Sequence, residues 1–290
     1  MSKFVYTTDW HIRSRPSDNV GIENYQDVLL DRIEMVLDTD AEFIIHGGDM
    51  FHSPDVDDMN LFNSVIKLIY DYGKRIYIVP GSHDMVGYSP ESLSWSCLKT
   101  LENAGLLTIL KSGKNDVNGV PVYAVYPIKD HDLKIYNGLT NTVVVSHNII
   151  SPVHLTFPHL LVEDISKVVS QCLFLCGDLH MPFTEFFETC AFINPGPLLK
   201  SSLSDKSDDG GFVIIDFDSK TFSFQYRTVV FPEVNIDIKE SSKKIRDFSN
   251  KLIFDEAATD VIELVTNVSK KMYNDDVVTR EAIEWIKSKK

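Results

Sequence analysis

Five short stretches of this chain place imidazole and carboxylate groups directly behind apolar, β-branched runs. They are Asp9 and His11 in "TDWH", Asp49 in "GGDMFH", Ser82, His83 and Asp84 in "PGSHD", His147 in "VSHN", and Asp178 and His180 in "GDLH". In α/β sheets, ligands sit beyond the carboxyl ends of the strands, and all five stretches occupy that position. Imidazole together with carboxylate suits Mn, Zn or Fe, and carboxylate oxygens also suit Mg. A lone Asp-x-His after a strand is a turn with a polar tip. Five such groups in one chain point to a metal site.

The elements that must carry these residues are legible as periodicity. "KFVYTT", "EFIIHG" and "RIYIVP" are short β-rich runs, each passing into polar residues or a glycine turn. Between the first two, Ile22, Tyr25, Val28, Leu29, Ile33, Val36 and Leu37 recur at helical spacing. Leu61, Phe62, Val65, Leu68, Ile69 and Tyr72 predict a second helix, stopped by Gly73. Ser89, Pro90 and Glu91 have the cap, first-turn proline and early acid of a third helix start. Further strands are predicted at "PVYAVY", "NTVVVSH", "QCLFLCG", "FVIIDFD" and "TFSFQYRTV". Strand and helix alternate early and strands dominate later, so the fold class is α/β.

A chain of 290 residues with 43% hydrophobic content can bury a large core, as one sizeable domain or one with a smaller companion. No apolar run approaches the roughly 20 residues of a membrane span, so no membrane is expected among its partners. The net charge of −14 argues against free-standing, tight binding to nucleic acid, which leaves a basic footprint. The charge is uneven. Residues 1–238 hold 17 Lys and Arg against 32 Asp and Glu, whereas 239–290 hold 11 against 10. With Pro232 interrupting the pattern, this shift predicts a boundary near 231–237 and a division into residues 1–232 and 233–290. Cys97, Cys172, Cys176 and Cys190 form no CxxC pair and read as buried, reduced thiols of a cytoplasmic protein. The N-terminal "MSKFVYTTDW" reads as a strand and not as a secretory leader.

In order and separation the five stretches resemble the motif series of the calcineurin-like metallophosphoesterases: Asp-x-His, Gly-Asp, Gly-Asn-His-Asp/Glu, a lone His, and Gly-His-x-His. "FINPGPL" resembles the family's closing strand and turn. His52, three residues after Asp49, makes "HGGDMFHSP" similar to the SbcD-type DNA-repair nucleases and their phage relatives. The resemblance covers roughly residues 3–230. It implies a two-sheet αββα sandwich with a small C-terminal α/β cap. The implied activity is metal-dependent hydrolysis of DNA phosphodiesters, exo- and endonucleolytic, in repair and recombination. The implied partners are DNA and an SbcC-type coiled-coil ATPase, with a homodimer as a further expectation. A cytoplasmic location would mean the host cytoplasm for a phage-encoded chain.

Two cations about 3.5–4 Å apart can clamp both the attacking and the leaving oxygen of a phosphodiester, and a bridging carboxylate is needed to hold them so close. The resemblance implies two divalent ions, Mn²⁺ first and Mg²⁺ as the alternative. Asp49 would bridge them. Asp9, His11 and His180 would complete the first position, and Ser82, His147 and Asp178 the second. His83 would stabilise developing charge or protonate the leaving oxygen, His52 would stand near the phosphate, and Asp84 would orient His83. Two residues depart from the family pattern. Ser82 stands where an Asn is usual, keeping a neutral oxygen with a shorter reach. Asp178 stands where a His is usual, adding negative charge and a harder ligand that favours Mn²⁺ or Mg²⁺ over zinc. The first position keeps all its ligands, and the second reads as altered and weaker.

Other polar residues carry plainer readings. His46 lies within a strand and reads as core; His131, His154 and His159 have no partner at metal-binding spacing. Trp10 reads as packing against the next strand, with stacking on a base as the alternative. In the C-terminal segment, "SSKKIRDFSNKL" and "TREAIEWIKSK" predict helices around a strand at "DVIELVTNV". Two other functions stand beside the nuclease: a phosphoesterase acting on small or protein-bound phosphates, and a scaffold with an impaired second metal position. "GGDMFH" and the cap-like segment favour the nuclease.

Overall fold

The computed structural model describes residues 1–16, 21–128, 132–199 and 210–234, with the backbone of Ile236 and Asp237. All of them belong to one compact unit, Met1–Ile238. The predicted cap helices and strand, and His131, lie outside the described residues.

Strands β1 (Ser2–Thr7), β2 (Phe43–His46), β3 (Arg75–Ile78) and β4 (Leu107–Ile109) run parallel in one sheet. Strands β5 (Gly113–Val117), β6 (Val120–Val125), β7 (Thr140–Ser146), β8 (Ser170–Cys176), β9 (Phe183–Phe186) and β10 (Cys190–Asn194) form the second, ordered β9-β10-β8-β7-β6-β5. Its inner four are parallel, and β9 and β5 pair antiparallel at the edges. The chain then returns to the first sheet. There β11 (Gly211–Asp218) pairs antiparallel with β1 and β12 (Ser223–Val230) with β11. The order of that sheet is β12-β11-β1-β2-β3-β4.

Successive strand side chains point to opposite faces, and here both faces of the central strands are covered. Phe4, Tyr6, Phe43, Ile45, Val143, Val145, Leu173 and Leu175 meet between the sheets. Val5, Ile44, Ile76 and Ile78 face outward onto Leu29, Ile33, Leu61 and Val65. These last come from α1 (Tyr25–Leu37) and α2 (Met59–Tyr72), the two helices that the spacing predicts. On the far side, Val144, Phe174, Phe192, Cys172 and Cys176 pack with Tyr136 and Ile165. The architecture is therefore the expected sandwich of two mixed sheets flanked by helices. All four cysteines are buried and free.

Asp58 caps α2 by accepting from the N–H groups of Asn60 and Leu61, and Gly73 ends it in the left-handed region at φ 58°. The third predicted helix start behaves differently. Ser89 donates to Glu91 at 2.5 Å and provides no cap, and Pro90–Trp95 forms a 3-10 turn. The α-helix α3 (Cys97–Asn103) begins one step later, where Ser96 Oγ accepts from Lys99 N at 3.3 Å. Strands β4, β5 and β9 are short edge or near-edge strands that the sequence pattern does not announce. "GKNDV" has only one apolar residue, because an edge strand needs little apolar surface.

Candidate metal centre

Five loops meet where the carboxyl ends of both sheets adjoin: three from the first sheet, after β1, β2 and β3, and two from the second, after β7 and β8. Hydrogen bonding between β1 and β2 continues past the strands. Asp9 N donates to Gly48 O at 3.0 Å, His11 N to Asp49 O at 2.9 Å and Ile12 N to Met50 O at 2.9 Å. In this stretch the backbone is held in unusual conformations. Asp9, His11, Asp49 and Asp178 have φ of 53°, 45°, 52° and 72°, a region that costs a non-glycine residue about 1–3 kcal/mol and clusters at functional sites. Such strain persists only when surrounding contacts over-determine it.

The side chains converge accordingly. His11 Nε2 lies 3.0 Å from His180 Nε2, 3.9 Å from Asp9 Oδ1 and 3.7 Å from Asp49 Oδ2. His180 Nε2 is 3.8 Å from Asp9 Oδ1. On the other side of Asp49, His147 Nε2 is 3.2 Å from Asp49 Oδ2 and 3.8 Å from Asp178 Oδ1. Ser82 Oγ is 3.4 Å from the same Asp49 oxygen. One carboxylate oxygen thus faces both groups of ligand atoms. Asp9 with His11 and His180, and Asp9 with Asp49 and His147, each form a set able to hold a cation. Ligands about 2.1 Å from a common ion stand roughly 3.0–3.5 Å apart, close to the separations seen here.

The polar accounting also fits cations. His147 Nε2 is buried with no hydrogen-bond partner, which is rare for buried polar atoms. His147 Nδ1 faces Gly47 O at 2.8 Å, so its Nε2 is aimed between Asp49 and Asp178, as metal-binding imidazoles are oriented. Burial pushes His11 well below the usual imidazole range, leaving it a neutral ligand. Burial would also lower His147, but the adjoining Asp49 carboxylate outweighs it and holds the imidazole well above its usual range. Asp49 itself is pushed upward by burial, yet His147, His11 and His83 together hold it below the carboxylate range. Burial raises Asp9, against the pull of His147 and His180, and raises Asp178 to about 6. Three neighbouring carboxylates with so little compensating charge form a site that divalent cations would neutralise.

The remaining predicted residues form a shell around this cluster. His83 N donates to Asp49 Oδ1 at 2.7 Å, and His83 Nδ1 faces His52 O at 2.7 Å. The rings of His52 and His83 stack at 4.9 Å, and His11 meets His83 edge-on at 4.9 Å. Asp84 does not touch the His83 ring. It accepts instead from the backbone N–H groups of Gly81, Phe51 and Met50, at 2.9, 3.1 and 3.4 Å. Its geometry orients the loops after β2 and β3, because the turn at Ser82 and His83 sends the carboxylate inward and the imidazole outward. Trp10 is buried, donates to Thr7 Oγ1 at 2.8 Å and meets His46 edge-on, so packing is its role and base stacking is not. His46 is buried core.

Some contributors escape a reading of motifs. Thr8 Oγ1 donates to Asp9 Oδ2 at 2.8 Å, and Asp178 N lies 3.2 Å from both Asp9 oxygens. Arg13 Nη1 lies 3.1 Å from His52 Nε2; its only signal was a cation two residues after His11. Gly81 is required by space: a Cβ there would lie 2.0 Å from Asp49 Oδ1.

Residues 2–184, which include every residue of the cluster, match the profile of the calcineurin-like phosphoesterases. The chain is 24% identical over 282 residues to the DNA double-strand break repair protein Mre11 of Haloferax volcanii, covering 91% of this chain. It spans 61% of the length of that relative. Among solved structures, Haemophilus influenzae NAD nucleotidase matches with a TM-score of 0.45 at 11% identity, over 83% of this chain and 52% of that one. Vacuolar protein sorting 29 from Cryptosporidium parvum matches with a TM-score of 0.38 at 11% identity, over 80% and 98% respectively. No helix among the described residues is long and apolar enough to cross a membrane. With the profile covering more than half the chain and the clustered acids and imidazoles inside it, this protein belongs to the calcineurin-like phosphoesterases, a family of metal-dependent hydrolases.

Proposed function

We propose that this chain is a DNA nuclease of the SbcD type that hydrolyses phosphodiesters with two divalent ions, Mn²⁺ by preference. The observation carrying the reading is the convergence of both ligand sets on one Asp49 oxygen, 3.7 Å from His11 and 3.2 Å from His147. Asp9, His11, Asp49 and His180 would hold the first ion, and Asp49, Ser82, His147 and Asp178 the second. Bound there, the ions would neutralise the phosphodiester oxygens and activate water as nucleophile.

The protein's own groups do the rest. Asp84 ties the loops after β2 and β3 together through three backbone N–H groups, which fixes His83 relative to Asp49. With His83 Nδ1 donating to the His52 carbonyl, Nε2 is the ring nitrogen left to face the leaving oxygen. His52, stacked on His83, limits the directions from which a phosphate can approach. Similarity to a DNA-break repair protein supports DNA over small phosphates. An SbcC-type ATPase partner, a homodimer and a DNA-holding cap in 233–290 belong to the same proposal.

Duplex DNA and a generic aryl phosphate, each incubated with Mn²⁺, test it. Cleavage of DNA is expected, and His83→Gln should reduce it by about 100-fold or more while Mn²⁺ binding by calorimetry stays unchanged. Cleavage confined to the aryl phosphate would make the chain a phosphoesterase of small substrates. Equal DNA cleavage by the variant would remove His83 from the reaction.

A further inference from the structure

The imidazole of His46 stands behind the cluster and belongs to neither ligand set. It closes β2 and is fully buried, with the Trp10 ring edge-on to it at 4.8 Å. Its Nδ1 accepts from Gly48 N at 3.1 Å. A neutral imidazole that accepts at Nδ1 carries its hydrogen at Nε2. Among the described residues, His46 Nε2 is buried without a hydrogen-bond partner. A leucine or valine would fill this strand position without burying an unmet donor. The cost of that donor points to a use for Nδ1.

That use lies in one peptide unit. The Gly47 carbonyl and the Gly48 N–H belong to the same planar, trans peptide, so they point in opposite directions. On one side the N–H meets His46, and on the other the carbonyl accepts from His147 Nδ1 at 2.8 Å. His147 Nε2 is thereby turned toward Asp49 Oδ2, 3.2 Å away. The following carbonyl, Gly48 O, accepts from Asp9 N at 3.0 Å, and the following residue is Asp49 itself. Gly47 N donates to Thr7 O at 2.8 Å, which fixes the preceding peptide and leaves this one to His46. Gly48 has φ 114°, and a Cβ there would lie 2.4 Å from His147 Nδ1. A turn of two glycines has no side chain of its own to hold it, so outside contacts must set its tilt.

We propose that His46 is a positioning residue for the metal cluster. By accepting from Gly48 N it sets the tilt of the Gly47–Gly48 peptide, and through that peptide the aim of His147 and the placement of Asp9 and Asp49. The inference rests on the two-ion reading above for its consequence and on hydrogen bonds alone for its geometry. Without the acceptor, the Gly48 N–H loses its partner. The peptide can then turn toward another, carrying the carbonyl away from His147.

Single variants of the full chain separate positioning from packing. His46→Leu keeps apolar bulk and removes the acceptor, whereas His46→Asn restores a neutral oxygen two bonds beyond Cβ, where Nδ1 stood. His46→Gln moves that oxygen one bond further out and should behave as His46→Leu, which covers a leucine variant that does not fold. Ile44→Ala opens a cavity on the outward face of the same strand. Hydrogen exchange of the Gly48 amide, followed by NMR in EDTA against the Gly47 amide as internal reference, should accelerate in His46→Leu and stay slow in His46→Asn. Mn²⁺ affinity by calorimetry should fall about 10–100-fold in His46→Leu, the range for a partner that orients a metal-bound imidazole. His46→Asn should recover most of it. Ile44→Ala should lower the urea midpoint and leave Mn²⁺ affinity as it was. Full Mn²⁺ affinity in both His46→Leu and His46→Gln, an equal loss in Ile44→Ala, or an unmoved Gly48 exchange ratio would overturn the positioning role. An unaltered chain that binds no Mn²⁺ would overturn the two-ion reading instead, and the exchange ratio would still decide whether His46 fixes the peptide.

Discussion

Ser82 Oγ lies 3.4 Å from the Asp49 oxygen that faces both candidate ligand sets, so this short side chain would reach only the rim of the proposed second metal position. Ser82→Asn extends a neutral oxygen further inward without changing the charge. Mn²⁺ affinity at that position should rise about 10–100-fold, the range over which a ligand or its orienting partner commonly acts, with the largest gain in cleavage at limiting Mn²⁺. Calorimetric titration of both forms checks it; superimposable isotherms would mean that Asp178 has already adapted the site to serine. Gly81 makes a second residue-level case. A Cβ there would meet Asp49 Oδ1 at 2.0 Å and Asp49 N at 2.2 Å, so Gly81→Ala must displace the proposed bridging carboxylate. The expected loss is about 1–3 kcal/mol of stability from overpacking, with Mn²⁺ binding weakened more severely than the fold. Urea unfolding beside metal titration separates the two effects.

The helices of the first sheet support the site from a distance, and their ends are where local sequence speaks most directly. Asp58 accepts from Asn60 N at 2.8 Å and Leu61 N at 3.3 Å, satisfying two donors that α2 leaves open. Asp58→Ala should therefore lower stability by about 1 kcal/mol and leave Mn²⁺ affinity as it was, since α2 contributes none of the ligands. Denaturation midpoints and a metal titration on the same variant check both halves. Both long helices follow from spaced apolar residues, because a buried face repeats with the helix itself. Ser89-Pro90-Glu91 misleads for an equally physical reason: the Ser89 hydroxyl is already engaged by Glu91, and the true cap, Ser96, lies beyond the 3-10 segment Pro90–Trp95. Edge strands β5 and β9 carry little apolar alternation, so their pairing is settled by neighbours in space.

Across the whole molecule, the two sheets press their central strands together and leave their carboxyl ends to share one group of buried acids. Holding Asp9 and Asp49 with so few compensating charges opposes folding in the absence of cations. Saturating Mn²⁺ should stabilise the native state by about 2.7 kcal/mol at a hundred times Kd, a rise in Tm of about 5 °C or more for a domain of this size. Thermal unfolding in Mn²⁺ and in EDTA measures this directly, and identical midpoints would speak against metal binding at the cluster.

Residue types, their order and their placement at strand ends are legible along the chain, because alternation, helical spacing and glycine turns are local properties. That was enough to anticipate the sandwich and to name Asp9, His11, Asp49, His147, Asp178 and His180 as residues that would converge. How those residues meet depends on the folded arrangement of both sheets. Asp84 serves three backbone amides and not the His83 ring, Trp10 is buried against Thr7 and His46, and Arg13 joins the cluster through His52. The left-handed backbone at Asp9, His11, Asp49 and Asp178 belongs to the same class. Each depends on contacts that fold closure imposes, such as His11 meeting His180 across 169 positions of chain; no local pattern encodes a direction that a distant strand must supply.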